Sequence, residues 1–324
     1  MLIIAHRGAS GHRPEHTLAA YELAARMGAD FVEPDLVSTA DGVLVARHEP
    51  QIGATTDIAA RPEFADRHTT KVVDGRPRTG WFVEDLSLAE LRTLRAVERI
   101  PRVRPHNTAY DGRFAVPTFA EILQLRARLS AELGREIGVY PETKHPSYFA
   151  RLGLALEPQL VADLTAAGLN HAGAPVFVQS FEPGTLRMLR GMTPVPLVQL
   201  LDACGAPADG SPRSYPDLRT PAGLAGISRY AAAIGPRKDL VLPHWAAGPT
   251  PLVDDAHAAG LAVHAWTFRD ENRFLPGPLR SARGRYGDAR AEYAAFLGAG
   301  VDAVFTDHPD TAVAAREAVV RTAA

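Results

Sequence analysis

The first apolar run, Leu2 to Ala5, is too short for a helix and reads as a buried strand. His6 and Arg7 stand at its C-terminal end, and Gly8, Ser10 and Gly11 supply a turn. Glu15 then opens a helical segment in which Leu18, Tyr21, Leu23, Ala24, Ala25 and Met27 cover one broad apolar face, and Gly28 stops it. Phe31 to Val37 reads as a second strand. Asp41-Gly42 lies between two apolar runs, a hairpin signal, so Val43 to His48 is expected to run back antiparallel. Gln51 to Ala115 breaks this rhythm: it is polar, Pro-rich and charged, with one helix-like stretch, Leu86 to Val97, where Ser87 and Glu90 have the spacing of a capping box.

The alternation then resumes. Pro117 and Thr118 precede a helix that runs from Phe119 to Leu133 and ends at Gly134. Strands are expected at Ile137 to Lys144, Val176 to Phe181, Pro196 to Leu201, Ala233 to Pro236, Ala262 to Thr267 and Val301 to Thr306. Helices are expected at Gly184 to Leu189, Ala222 to Ala232, Pro251 to Ala259 and Ala291 to Leu297, and after Asp307-His308-Pro309-Asp310; Ala203 to Arg219 reads as a loop. Leaving out the hairpin's return strand, the strands number eight, near residues 3, 32, 139, 177, 198, 233, 264 and 304. Alternating βα units predict a parallel sheet and eight of them predict closure. The expected fold is therefore α/β, a (β/α)8 TIM barrel in one domain over 1–324, with 51–115 inserted after the second strand and its hairpin. That insertion is either a cap beside the site or a surface excursion. A chain of 324 residues, 46% hydrophobic, can bury one core of this size.

Such a barrel places its chemistry at the C-terminal ends of the strands. Glu33 and Asp35, two apart on a strand, share a face, and a matched pair of hard oxygen ligands suits Mg²⁺ or Ca²⁺. The hairpin returns His48 towards them. A two-residue turn sets it opposite Asp35 and a four-residue turn opposite Glu33, whereas a three-residue turn sets it opposite Pro34, on the wrong face. His6 and His48 are the candidates for proton transfer near neutral pH. Glu142 and Lys144 again share one strand face.

His6-Arg7-Gly8, Pro14-Glu15-His16-Thr17, Glu33-x-Asp35 and His48, in this order and spacing, resemble the glycerophosphodiester phosphodiesterase family, and further matches run along nearly the whole chain. The resemblance implies that Glu142 completes a metal site with Glu33 and Asp35, holding one divalent cation, Ca²⁺ or Mg²⁺. It implies that Arg7 and Lys144 meet the phosphate, and that His6 and His48 are the catalytic pair. One histidine would deprotonate the substrate's own glycerol hydroxyl and the other would protonate the leaving alcohol, giving a cyclic phosphate that water opens to sn-glycerol 3-phosphate. Glu15 would support the metal site through a hydrogen bond or water, or is a plain charge at a helix N-terminus. Gln179, Phe181 and Trp266 are pocket candidates, the two aromatics packing on glycerol carbons or in the core. The chain departs from the family pattern at Glu49, where Asp is usual, at His16, where Asn is common, and at Pro34, where an aliphatic residue is usual.

Charge and composition narrow the partners. A net charge of -2 gives no basic footprint for nucleic acid. Cys204 is the single cysteine, which excludes an internal disulfide and a Cys-based zinc site and reads as a small packed hydrophobe. No apolar run reaches 18 residues, so no stable membrane insertion is expected. The sequence opens directly on the first strand without a signal peptide, which reads as cytoplasmic, or as secreted or periplasmic if the start is trimmed. The expected partner is a small glycerophosphodiester, with a homo-oligomer left open. Two alternatives remain. One is a related enzyme acting on intact phospholipid or lysophospholipid, for which Trp81 and Phe82 are the hint of an apolar rim. The other is a non-catalytic phosphodiester-binding barrel, against which the two histidines argue.

Overall fold

A computed structural model describes residues 1–243 and 248–323. Its strands are β1 (Leu2–His6), β2 (Phe31–Glu33), β3 (Asp35–Ser38), β4 (Leu44–Ala46), β5 (Thr69–Val73), β6 (Arg76–Gly80), β7 (Gly138–Val139), β8 (Glu142–Thr143), β9 (Val178–Ser180), β10 (Leu197–Leu201), β11 (Ala233–Pro236), β12 (Ala262–Phe268) and β13 (Ala303–Thr306). β2 and β3 are one strand interrupted at Pro34, which has no N–H to give to a ladder. β7 and β8 are likewise two halves of one strand, split at Tyr140 and Pro141. Backbone hydrogen bonds carry the ladder across both breaks: Tyr140 N to Val32 O, Glu142 N to Pro34 O and Lys144 N to Leu36 O, at 2.9, 2.9 and 3.1 Å.

Counting each split strand once, the order closes. β1 pairs in parallel with β2 and with β13, β2 with β7, β3 with β8, and β8 to β13 follow in sequence. This is the expected eight-stranded parallel barrel. Its interior is filled by Ile4, Phe31, Tyr140, Val198, Ala233, Ala303 and Phe305, and a larger apolar layer lies between sheet and helices. The wall is therefore packed from both sides and only its C-terminal rim is left open for chemistry.

Several expectations need correction. The first helix is Leu18–Arg26, capped by the Thr17 hydroxyl, so Glu15 lies in the turn ahead of it. The capping box at Ser87 and Glu90 forms, but the helix it starts is only Leu88–Leu91. Tyr215–Leu218 is a short helix inside the expected loop, and the helices Pro146–Arg151 and Leu156–Ala166 stand where no element was expected. β4 pairs with β3 as Ser38↔Leu44, Val37↔Val45 and Leu36↔Ala46. Extended, that register sets Arg47 opposite Asp35 and His48 opposite Pro34, the case that should have turned His48 away. Strand geometry ends at Ala46, however; Arg47 N still donates to Asp35 O at 2.9 Å, but from His48 the chain bends, so face alternation no longer governs His48.

The insertion has its own structure. β5 and β6 form a separate antiparallel hairpin turned by Asp74-Gly75, both with positive φ, the backbone a tight two-residue turn requires. Ile52, Ile58, Phe64, Phe82, Val83 and Leu94 of the same region are buried in the main apolar layer. Trp81 donates its indole N–H to the Phe64 carbonyl at 2.7 Å and Phe82 is buried, so neither forms an exposed rim. Among the described residues no helix is long and apolar enough to cross a membrane.

Candidate active site

Strand register assembles the site. His6 at the end of β1 is the partner of Glu33, Asp35 is the partner of Glu142, and Glu142 is the partner of Gln179. Residues at one level of neighbouring strands are neighbours in space. One oxygen from each of Glu33, Asp35 and Glu142 lies within 4.8 Å of the others. All three are buried: Glu33 and Asp35 are 1% exposed and Glu142 6%.

Their electrostatics are those of a cation site. Burial, then Asp35 and Glu142, push the Glu33 carboxyl well above its ordinary range. Burial raises Glu142 to about 7, against the pull of Lys144, whose Nζ is 2.8 Å away. Asp35 goes the other way. Burial alone would raise it, but Lys144, His48, His16 and Arg7 hold it well below the usual range. Asp35 Oδ1 is buried without a hydrogen-bond partner. Three converging carboxylates with an unsatisfied oxygen fit a hard divalent cation, which removes their mutual repulsion.

Backbone strain gathers at the same rim. Arg7, His16, Asp74 and His145 are the non-glycine residues with left-handed backbone among those described, with φ of 63, 54, 48 and 49°. Such conformations hold only where their surroundings fix them. Gly8 permits the turn after Arg7: a Cβ there would come within 2.6 Å of the Ala20 backbone. The turn directs the Arg7 amide to Glu33 Oε2 at 2.8 Å, and its guanidinium to Glu15 at 3.1 Å and Asp35 at 3.2 Å. Glu15 also takes both arms of Arg99, from the insertion, at 2.8 and 2.5 Å. Burial would raise the Glu15 carboxyl, but Arg99 and Arg7 outweigh it and hold the group well below its usual range. Glu15 thus braces Arg7 and is not a charge at a helix end.

Each of the two histidines leans on a carboxylate through Nδ1. His6 Nδ1 is 2.6 Å from Asp307 Oδ1, and the other Asp307 oxygen accepts from Arg104 at 2.6 Å and Arg269 at 2.7 Å. His48 Nδ1 is 2.9 Å from Glu49 Oε1, so the longer Glu49 reaches the place where Asp is usual in the pattern. Burial, with Arg7, lowers His6 to about 4 despite Asp307. Burial, then Arg7 and Lys144, take His48 well below its ordinary value.

His6, Arg7, Glu33, His48, Glu142, Lys144, Gln179, Phe181 and Trp266 all line one cavity of about 830 Å³; Asp35 and Glu15 stand behind this wall. Gln179 Nε2 donates to Glu33 at 3.2 Å. Phe181 and Trp266 pack edge to face at 5.7 Å on the cavity wall, with their other sides against the apolar clusters. Cys204 is exposed at the cavity mouth, contrary to its reading as a packed hydrophobe. Sequence reasoning missed Asp307, which it read only as part of the segment ahead of the last helix, although it directly follows the eighth strand as His6 ends the first. It also missed His145, Asp74, Arg76, Arg78 and Arg104. Of these, four come from the insertion, where no periodic pattern marks which side chains turn inward.

A closed parallel barrel with a buried three-carboxylate cluster and two carboxylate-braced histidines at one rim defines a class, the metal-assisted phosphodiester hydrolases on a (β/α)8 scaffold. The comparisons agree. The model of the glycerophosphoryl diester phosphodiesterase family matches residues 6–311. The glycerophosphodiester phosphodiesterase GDPD6 of Arabidopsis thaliana is 35% identical over 94% of this chain and 82% of its own length. That of Haemophilus influenzae is 29% identical over 96% of this chain and 88% of its own. Among solved structures, an Oleispira antarctica phosphodiesterase in complex with its product sn-glycerol-3-phosphate superposes with a TM-score of 0.65 at 21% identity, covering 98% of this chain and 97% of that one. A glycerophosphodiester phosphodiesterase from Agrobacterium tumefaciens gives 0.63 at 21%, covering 97% and 99%. At such identity these last two bear on the fold alone. The chain belongs to the glycerophosphodiester phosphodiesterase family of enzymes.

Proposed function

We propose that this enzyme hydrolyses glycerophosphodiesters to sn-glycerol 3-phosphate and an alcohol, with His6 and His48 as the acid-base pair. The observation that carries the reading is that both rings line the same cavity as Glu33 and Glu142, each with Nδ1 held by a carboxylate. A carboxylate on Nδ1 fixes the tautomer and leaves Nε2 free to take or give a proton. Glu33, Asp35 and Glu142 would hold one divalent cation, Mg²⁺ or Ca²⁺, which when bound supplies a Lewis acid for the phosphate oxygens. Arg7 and Lys144 then flank the phosphate with fixed positive charge. Burial first, and then the positive charge of Arg7 and Lys144, keep both imidazoles neutral; an anion seated between them offsets the second of these, which favours protonation of one ring once substrate is bound.

In the first step one histidine takes the proton of the glycerol hydroxyl next to the phosphate as that oxygen bonds to phosphorus. The bond to the leaving alcohol breaks and the other histidine protonates its oxygen. Water then opens the cyclic phosphate with the two roles exchanged, and the net consumption is one water per diester. Turnover of glycerophosphocholine with Mg²⁺ or Ca²⁺, with and without EDTA, tests this. His48→Ala and His6→Ala are each expected to lose roughly 10²–10⁴-fold in kcat. Activity indifferent to the chelator, or to either substitution, overturns the mechanism.

A further inference from the structure

We propose that the alcohol side of this pocket selects an alcohol carrying negative charge of its own, a carboxylate or a second phosphate, and that Arg76 and Arg78 of the inserted hairpin make the selection. The inference rests on the hydrolase reading above and goes beyond it by naming the substrate class.

The hairpin is held over the site by a chain of polar contacts. Glu49 accepts from His48 at 2.9 Å and stands 3.8 Å from His145 Nε2, whose Nδ1 is 2.5 Å from Asp74 at the hairpin turn. Cross-strand partners share a face of a hairpin. Val73 pairs with Arg76 and Lys71 with Arg78, so these four side chains are on one face, and Val73, Arg76 and Arg78 all line the cavity.

Pairing the cavity's cations leaves these two over; of its carboxylates, Glu33 belongs to the cluster and Glu182 accepts from Ser147. Arg237 is matched by Asp202 and Asp239, Lys238 by Glu292, Arg269 by Asp307, and Lys144 by Glu142. Arg7 is matched by Glu15, and Asp74 is taken up by His145. Arg76 and Arg78 make no ion pair among the described residues, and both are exposed. Two unspent guanidinium groups on one wall of a phosphate pocket favour a second anionic group and disfavour a cationic one. The aromatic wall offers the competing preference, a quaternary ammonium against Phe181, Tyr215 and Trp266. There the Lys144 ammonium already stands 5.8 Å from the Phe181 ring centroid, and a second cation would be repelled.

The test compares glycerophosphoserine with glycerophosphoethanolamine, which differ by a single carboxylate, and adds glycerophosphocholine. The ratio of kcat/KM, serine over ethanolamine, is expected to be roughly tenfold at low salt, to shrink as ionic strength rises, and to approach one in the double variant Arg76→Gln, Arg78→Gln. Both arginines are exposed on a hairpin face, and a melting curve checks that the variant is folded. A wild-type ratio at or below one, or a ratio that survives the double substitution, overturns the proposal. Choline favoured over both would assign the selection to the aromatic wall instead. If none of the three is hydrolysed in the presence of either cation, the hydrolase reading itself fails; an inverted order among substrates that are turned over strikes this inference alone.

Discussion

At the scale of single residues, the site is a set of charges that are useful only in the company of others. Asp307 shows this most directly. Its Oδ1 holds His6 Nδ1 while Arg104 and Arg269 hold its Oδ2. Asp307→Asn keeps the shape but offers an N–H where the ring must donate, which turns the imidazole to the wrong tautomer. A kcat loss of roughly 10²–10⁴-fold with little change in KM is expected, measured by steady-state kinetics with a melting curve as control. A KM effect alone would reduce Asp307 to a scaffold residue. His6, Glu33, Asp35 and His48 were singled out by their places near strand ends, Arg7 and Glu142 took their roles from the family resemblance, and the structure brings all six together. His16 was legible only as a departure, and its reason is geometric. With φ of 54° it sits where Asn, Asp and His are the tolerated side chains, fully buried, with one ring nitrogen 2.9 Å from Asp35 and the other 2.7 Å from the Tyr21 hydroxyl. Burial lowers it to about 4, against Asp35, so the neutral ring donates to Asp35 and accepts from Tyr21.

At the scale of elements, what was legible depended on whether packing left a periodic mark. Eight strands that fill a barrel from both faces read as apolar runs, and all eight were found. The carboxylate strand was found as one piece and not as two, because Pro34 breaks the ladder locally while Glu142 N still bonds to its carbonyl. His48 reaches the site although its register argument pointed to the wrong side. Once β4 stops at Ala46, position along the strand no longer fixes direction. The hairpin of β5 and β6 carried the same signal as the first one, Asp74-Gly75. It went unread because its flanks, Thr69–Val73 and Arg76–Gly80, are largely solvated and show no alternation. Its Asp74 has a direct test. Burial would lower His145, but the hydrogen bond to Asp74 and the nearby Glu49 carboxylate outweigh it and raise the ring to about 9. Asp74→Asn keeps the left-handed turn, which Asn tolerates, and removes the charge. The His145 pKa should then fall towards its ordinary value, followed by ring-proton NMR. KM should rise about three- to tenfold as the hairpin loosens over the pocket. An unmoved His145 titration would mean that the hairpin is held by something other than this pair.

For the whole molecule, buried titratable groups set opposing limits on stability, and the cation decides one of them. His6, His16, His264 and His308 are each lowered to about 4, chiefly by burial. A histidine at 6.5 when unfolded and about 4 when folded binds its proton preferentially in the unfolded chain. Its contribution is complete above pH 6.5 and is lost as pH falls towards 4. The carboxylates held low, Glu15, Asp35 and Asp307, add to the same acid limb. Glu142, raised to about 7, and Glu33, raised well above its range, act with the opposite sign. Their folded state prefers the proton, so stability present below pH 4.5 is lost as pH rises through 7. That loss is at most roughly 3 kcal/mol for Glu142, at 1.36 kcal/mol for each unit. A divalent cation replaces those protons, so its binding releases them and strengthens as pH rises. The expected result is a Tm gain on adding Mg²⁺ or Ca²⁺ to EDTA-treated protein that is on the order of 5 °C at pH 8 and close to zero at pH 5. Thermal melts at both pH values check it. Equal gains would mean that the cation does not displace the protons of Glu33 and Glu142, and the cluster could not be its site.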